Sequence, residues 1–259
     1  MVNKTENQRN FQTKINNYQH FENVLISSQN RIKREIKKGF KFQHLTCALS
    51  NRILRNHISK RVSMAVMFID LVESTKISIE ISPKQLPNVI RGFSQEATFV
   101  VESYGGHVLK FVGDAVLAYF LIENFNNDSS KTVKNALNSA FAFMYVVENG
   151  LNSLFETYNL PRLGLHIGID YGKNNVVLYG ANKLRSHIDL IGPTINLAAK
   201  MASISGKNEI VIGERVFTKI NSNSRKKFKK ITDLNRWKYQ IEHNKNKSSL
   251  YSVYEGPLQ

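Results

Sequence analysis

Two aspartates stand out because of what precedes them. Asp70 closes the apolar run SMAVMFID, and Asp114 follows KFVG at what reads as the tip of a hairpin. Neither sits in a run of acids, so neither is simply part of a solvated charged surface. A carboxylate at the end of an apolar strand is costly unless it is solvated, paired or bound to a cation. If the two strands are neighbours, both carboxylates face one spot, which suits hard divalent cations that take oxygen ligands. Mg²⁺ is usually held by one or two carboxylates plus substrate phosphates, so two aspartates are enough when the substrate is a nucleoside triphosphate. Taken singly, Asp70 also reads as a helix N-cap and Asp114 as a turn residue.

The elements that must position these acids follow from periodicity and breakers. SMAVMFIDL has the length and apolar content of a strand. Leu86, Ile90, Phe93, Ala97, Val100 and Val101 recur near helical spacing and predict a helix over residues 83–104, with Ser82 and Pro83 at its start. Gly105-Gly106 ends it. HVLKFV and AVLAYFLI, joined at Gly113-Asp114, predict a hairpin. A polar loop over 123–130 leads to a long helix over 131–158. RLGLHIGIDYG alternates as a strand that stops at Gly172, and NNVVLYG reads as another. HIDLIG follows, then PTINLAAKMASIS as a helix with Pro in its first turn, NEIVIG as a strand, a short helix over 214–220, and SSLYSVYEG as a last strand. This order predicts an α+β fold, a mixed sheet covered by helices. Three regions are expected: a basic leader over 1–60 with candidate helices at 21–42 and 45–59, a catalytic domain over 61–222, and a basic extension over 223–259 that ends in a strand.

Composition narrows the functional classes. With 259 residues, 42% of them hydrophobic, and with 15 Phe and 10 Tyr, the chain can bury a proper core. The single cysteine, Cys47, excludes an intramolecular disulfide and suits a reducing compartment. No run approaches the ~18 apolar residues of a membrane span, and residues 1–10 lack the apolar core of a signal peptide. A cytoplasmic, soluble protein without a membrane partner is expected. The net charge of +16 attracts phosphates, nucleic acid or anionic lipid. Much of it lies in residues 31–61 and 225–247, away from the acids. Phe228, Trp237 and Tyr239 beside the lysines of 227–238 would allow a nucleic-acid surface on a palm-like fold; the competing reading packs them onto the core. His107, His166 and His187 lack metal-ligand spacing, and His166 reads as structural.

In order and spacing, MFIDLVEST, GGHVLKFVGDAVLAYF, LGLHIGIDYG and IDLIGPTINLAAKM resemble the motifs of class III adenylate and guanylate cyclase catalytic domains, over residues 64–213. One Gly-Asp tip alone would say little, since diguanylate cyclases and polymerase palms carry similar hairpins. The resemblance implies a ferredoxin-like, palm-type sheet, a head-to-tail homodimer with active sites at the interface, and two divalent ions, Mg²⁺ or Mn²⁺, per site. Asp70 and Asp114 take the places of the metal aspartates, with Leu71 as a further metal contact. Phe68 and Leu71 fall at the substrate. The backbone of 71–75 takes the place of the phosphate-binding turn, which fits the affinity of helix-start N–H groups for anionic oxygens. Lys110 stands for the base-contacting lysine, Asp189 for the base-selecting residue, Asn196 for the ribose-orienting asparagine, and Lys200 for a transition-state arginine.

Asn196 and Lys200 are one helical turn apart and share a face. In the family that face serves the site whose metals the other subunit holds. Lysine in place of arginine is a departure, because a point charge replaces a bidentate fork. The pair Lys110–Asp189 suits adenine and ATP. The compact chain and the stretch LRSHIDLIG, by contrast, resemble the pyrimidine cyclases of the bacterial antiphage Pycsar system, which make cyclic UMP or cyclic CMP. On that reading Arg185, with Ser186 and His187, helps to form a smaller base pocket, and UTP stands ahead of CTP. A cyclase-like chain that binds nucleotides without turnover is a further alternative, supported by Lys200 and opposed by the two aspartates. No nucleic-acid partner is expected.

Overall fold

The computed structural model describes residues 19–34, 47–122, 128–180, 186–231, 237, 239 and 249–253. In chain order the elements are α1 (19–34), α2 (Cys47–Arg55), β1 (Arg61–Leu71), α3 (Ser74–Glu80), α4 (Leu86–Ser103), β2 (His107–Val112), β3 (Ala115–Leu121), α5 (Ser129–Val146), a π-helical turn (Val147–Asn152), α6 (Ser153–Thr157), β4 (Leu165–Tyr179), β5 (His187–Ile191), α7 (Pro193–Ile204), β6 (Glu209–Gly213), α8 (Glu214–Phe217), α9 (Ser222–Arg225), β7 (Lys229–Ile231) and β8 (Leu250–Val253). The sheet runs β2-β3-β1-β4-β6-β8-β7, with β5 paired to β4. All neighbours are antiparallel except β4 and β6. The α+β expectation holds, and β7 and β8 join the same sheet as the motif strands.

Strand alternation sorts the core into two layers. From β1, Ala65, Met67, Ile69 and Leu71 face the larger layer, under α4, α5 and the π turn. Met64 and Val66, with Phe68 at the edge, face the other side, packing with Leu54 of α2, Ile188 and Leu190 of β5 and Ala198 of α7. By the same parity Asp70 points to this second side. Burying a side chain such as Phe93 or Phe143, both fully buried, contributes about 2–3 kcal/mol each.

Several boundaries differ from expectation for local reasons. The helix over 83–104 begins at Leu86. Ser82 and Gln85 bond each other's backbone and side chain first, closing a turn around Pro83. A separate helix, α3, precedes it. The long helix over 131–158 is interrupted by the π turn. There the buried Asn152 side chain donates to the Leu163 carbonyl at 2.9 Å and accepts from the Leu163 N–H at 2.7 Å, tying the helix to the entry of β4. Gly172 does not end a strand. β1 is long enough to pair with β4 from Leu71↔Leu165 to Arg61↔Asn175, so LHIGIDYG and NNVVLY, joined through Lys173, form one strand of 15 residues. Among the described residues, no helix is long and apolar enough to cross a membrane.

Candidate active site

The register of the central strands brings the two acids together. Ile69 of β1 pairs with Val116 of β3. One and two further steps put Ala115 beside Asp70 and Asp114 beside Leu71. Asp114 stands in a two-residue turn after Gly113, whose φ of +64° favours glycine. On its other side Asp70 pairs with His166 of β4.

The Asp70 carboxyl is held above the ordinary aspartate value. Burial is the largest cause, and the Asp114 charge is next. The Leu71 N–H, donating at 3.1 Å, opposes the rise; a hydrogen-bonding approach of Asp114 adds to it, and His166 pulls weakly back. Asp114 Oδ2 is buried with no hydrogen-bond donor in reach. Two acceptor-only groups that approach each other in this way need a proton or a cation between them. The donor set is oxygen only. No cluster of three or more His, Cys, Asp or Glu occurs among the described residues. Two carboxylates with the Leu71 backbone therefore fit a hard divalent cation that completes its shell from a substrate.

Lys110 and Asp189 meet on the second side of the sheet. Lys110 Nζ lies 2.5 Å from Asp189 Oδ2. The contact depends on a bulge in β2: pairing slips between Val108 and Lys110, so Leu109 is an extra residue and Lys110 opposes Leu117, which faces the second layer. A bulge re-aims a side chain in this way, and nothing in HVLKFV announces it. Asp189 is fixed by the Leu190 N–H at 2.9 Å. The lysine side chain is 44% exposed, and pairs that open to water are worth about 0–1 kcal/mol. A hydrogen-bonding base can therefore part them at little cost. His187 lies on the same side of β5 as Asp189, its ring stacked on Tyr179 at 5.2 Å. Arg185 lies outside the described residues.

Helix α7 lies unusually close to β4. A Cβ at Gly168 would fall 2.0 Å from the Ala198 carbonyl oxygen and 2.4 Å from the Ala202 nitrogen, so only glycine admits the helix here. Asn196 and Lys200 project from its exposed face. Lys200 Nζ stands 5.2 Å over the Tyr239 ring. The structure thus gathers the expected residues into two groups within one chain: Asp70, Leu71 and Asp114 at the strand ends, and Lys110 with Asp189 beside the α7 face. Phe68 lies on the second side, two residues before Asp70.

Sequence reasoning missed two neighbours: His166, which needs the register to be placed beside Asp70, and Tyr239, which no spacing links to Lys200. Phe228 and Trp237 are buried, Trp237 against Met201, Val211 and Leu250. They pack the extension onto the core and do not form an exposed stacking surface.

The comparisons with known proteins point the same way. The family described as Adenylate and Guanylate cyclase catalytic domain matches residues 57–253. A cytidylate cyclase of Staphylococcus aureus is 29% identical over 152 residues, 58% of this chain and 36% of that protein. A uridylate cyclase of Rhodovulum sp. is 24% identical over 150 residues, 55% of this chain and 59% of that protein. The chain thus spans little more than a third of the first relative and less than two thirds of the second. The adenylyl cyclase CyaB from P. aeruginosa superposes with a TM-score of 0.64 at 22% identity, covering 77% of this chain and 98% of that structure, which shows the fold.

Proposed function

Since the chain belongs to the adenylate and guanylate cyclase catalytic-domain family, we propose that it is a pyrimidine nucleotide cyclase, converting CTP or UTP to the 3′,5′-cyclic monophosphate and pyrophosphate as a head-to-tail homodimer. The observation that carries this reading is the convergence of Asp70 and Asp114 with a buried carboxylate oxygen that lacks any donor.

Asp70, Asp114 and the Leu71 backbone would hold Mg²⁺ or Mn²⁺, which would supply positive charge to the ribose hydroxyl and the phosphates. The chain's own residues do the rest. The turn after β1 presents backbone N–H groups toward the triphosphate. Asn196 orients the ribose so that its 3′-oxygen lies in line with the α-phosphorus. The new 3′-O–P bond forms as the bond to the β-phosphate oxygen breaks; pyrophosphate leaves and the hydroxyl proton passes to solvent. Lys200 faces the charge that grows on the α-phosphate. Positioning and charge carry most of the barrier reduction. Lys110 and Asp189 read the base edge, with Arg185, Ser186 and His187 narrowing the pocket toward a pyrimidine.

The dimer reading rests on where the groups point. Asn196 and Lys200 are exposed, and the hairpin ends nearby carry exposed apolar side chains, among them Phe111, Val112, Leu178 and Ile191. A second copy would cover these and bring its own Asp70 and Asp114 to them. Over the matched stretch the cytidylate cyclase is 29% identical to this chain and the uridylate cyclase 24%, which favours CTP over the UTP preference expected from sequence. The likeness to Pycsar cyclases supports a messenger made in antiphage defence.

Turnover of purified protein with each of the four nucleoside triphosphates and Mn²⁺ tests the reading. Cyclic CMP or cyclic UMP is the expected product; efficient use of ATP alone would remove the pyrimidine assignment. Mixing Asp114→Ala with Asn196→Ala chains should restore activity that neither has alone, because one of the two sites in the mixed dimer is intact. Failure of such rescue, with both variants folded, removes the head-to-tail site.

A further inference from the structure

The β1–β4 ladder has a second end. Asp70 pairs with His166 near one end and Arg61 pairs with Asn175 at the other, nine residues along and about 30 Å away at the usual rise per residue. At that far end a half-open cavity of about 450 Å³ is lined by Arg61, Lys173, Arg215 and Lys219, with Tyr171 and Gly172 in its wall. Among the described residues no carboxylate lines it.

The basic side chains are held in place. Arg215 uses Nη2 on the buried Asp170 behind the wall, and its Nη1 would lie 2.9 Å from a Cβ on Gly172. Lys219 Nζ sits 4.7 Å over the Tyr171 ring and donates to Ser129 Oγ at 3.0 Å; an ammonium has three protons to give, so donors remain. Helix α7 begins at this wall. Gly192 at its N-cap offers no side-chain cap. Thr194, in its first turn, is fully buried, yet its Oγ1 has no hydrogen-bond partner. A Cβ on Gly172 would fall 2.5 Å from that oxygen. The missing side chain at 172 is what leaves the hydroxyl facing the cavity wall.

Four cations around one recess and an uncapped helix start at its wall, with an unpartnered hydroxyl just behind Gly172, match the needs of a phosphate group. We propose that this recess binds a phosphate-bearing anion, apart from the Asp70–Asp114 pair at the other end of the ladder and independently of the cyclase reading. The same chemistry is offered by a free phosphate or pyrophosphate and by the phosphate of a nucleotide.

Calorimetric titration of the full-length Asp114→Ala protein, treated with chelator, isolates the recess from the metal-bearing site. Inorganic phosphate, pyrophosphate and CMP are titrated in chloride buffer at constant ionic strength. Saturable binding of about one anion per chain is expected. Lys173→Glu and Lys219→Gln should each weaken it tenfold or more, and Thr194→Val severalfold while leaving the anion-free melting temperature unchanged or raised. Tighter binding of CMP than of phosphate and pyrophosphate identifies a nucleotide site; equal or weaker binding identifies a free-anion site. Absence of saturable binding, or binding that folded Lys173→Glu and Lys219→Gln proteins retain in full, overturns the proposal. The readout is binding and not turnover, so a failure of the cyclase assignment would be seen separately.

Discussion

Asp70 with Asp114 and Asp170 with Arg215 present the same difficulty and treat it oppositely. Asp170 is almost wholly buried, and a guanidinium is bonded directly to it. Burial lifts its pKa to about 6, while the charge and hydrogen bond of Arg215 and the Tyr171 N–H hold it down. Glu96 is treated like Asp170: buried under α1, it receives Arg31 at 2.6 Å and the Ser28 hydroxyl. At the strand ends, by contrast, two carboxylates are set against each other and one oxygen is left without a donor. A chain that supplies arginines to its structural acids and withholds them from these two keeps a place for a cation that comes from outside.

That contrast can be broken experimentally. The largest effect is expected from Asp114→Ala or Asp70→Ala. Turnover should fall by about 10³-fold or more, on the scale of lost transition-state charge stabilisation, while circular dichroism and melting temperature stay close to wild type. If either variant keeps a tenth of the activity, the acids are not the cation site.

Removing a counterion from a structural acid should do the reverse, costing stability first. Arg215→Ala leaves Asp170 buried without its partner, and such losses cost about 3–5 kcal/mol. The deficit should also grow with pH. An aspartate whose folded pKa is raised holds its proton longer in the native state, so stability falls as pH rises from the ordinary value of 3.8 toward the raised one. Without Arg215 that window extends upward. Urea midpoints at pH 5 and pH 7 measure it; an equal deficit at both would contradict the assignment.

Lys200→Arg sharpens the comparison at the α7 face. A planar fork can grip phosphate in two places, so a rise in kcat of up to about tenfold is expected with little change in KM. An unchanged rate would mean that Tyr239 or the partner fixes this position by shape and not by charge.

The smallest effect is expected from Asp70→Asn in metal-free protein. It removes a half-buried charge, and with it both the burial cost and the repulsion from Asp114 that raise Asp70, and because the site is half open to solvent the melting temperature should rise by only about 1–2 °C. Mn²⁺ should then no longer raise it further, as it should in the wild type.

What could be read from the chain was the catalytic sheet. SMAVMFIDL, the Gly113-Asp114 turn and the α7 segment declare themselves by apolar periodicity and breakers, and these place Asp70, Asp114, Asn196 and Lys200. What could not be read depends on partners distant in sequence. The bulge at Leu109 exists because β3 imposes a register. β4 runs through Gly172 because β1 is long enough to pair with it. The π turn at 147–152 serves a hydrogen bond to Leu163. The pairing of Lys110 with Asp189, 79 residues apart, needed the sheet to be folded before it could be seen.

The β2–β3 ribbon carries Asp114 at its tip and Lys110 four residues earlier. In the proposed dimer these two serve opposite clefts, the first its own and the second its neighbour's. A stiff two-stranded lever spanning both would transmit strain: ligand that draws the tip inward on one side displaces the base contact on the other. Unequal affinity for the first and second nucleotide, read as a Hill slope away from one, is the mechanical signature to look for.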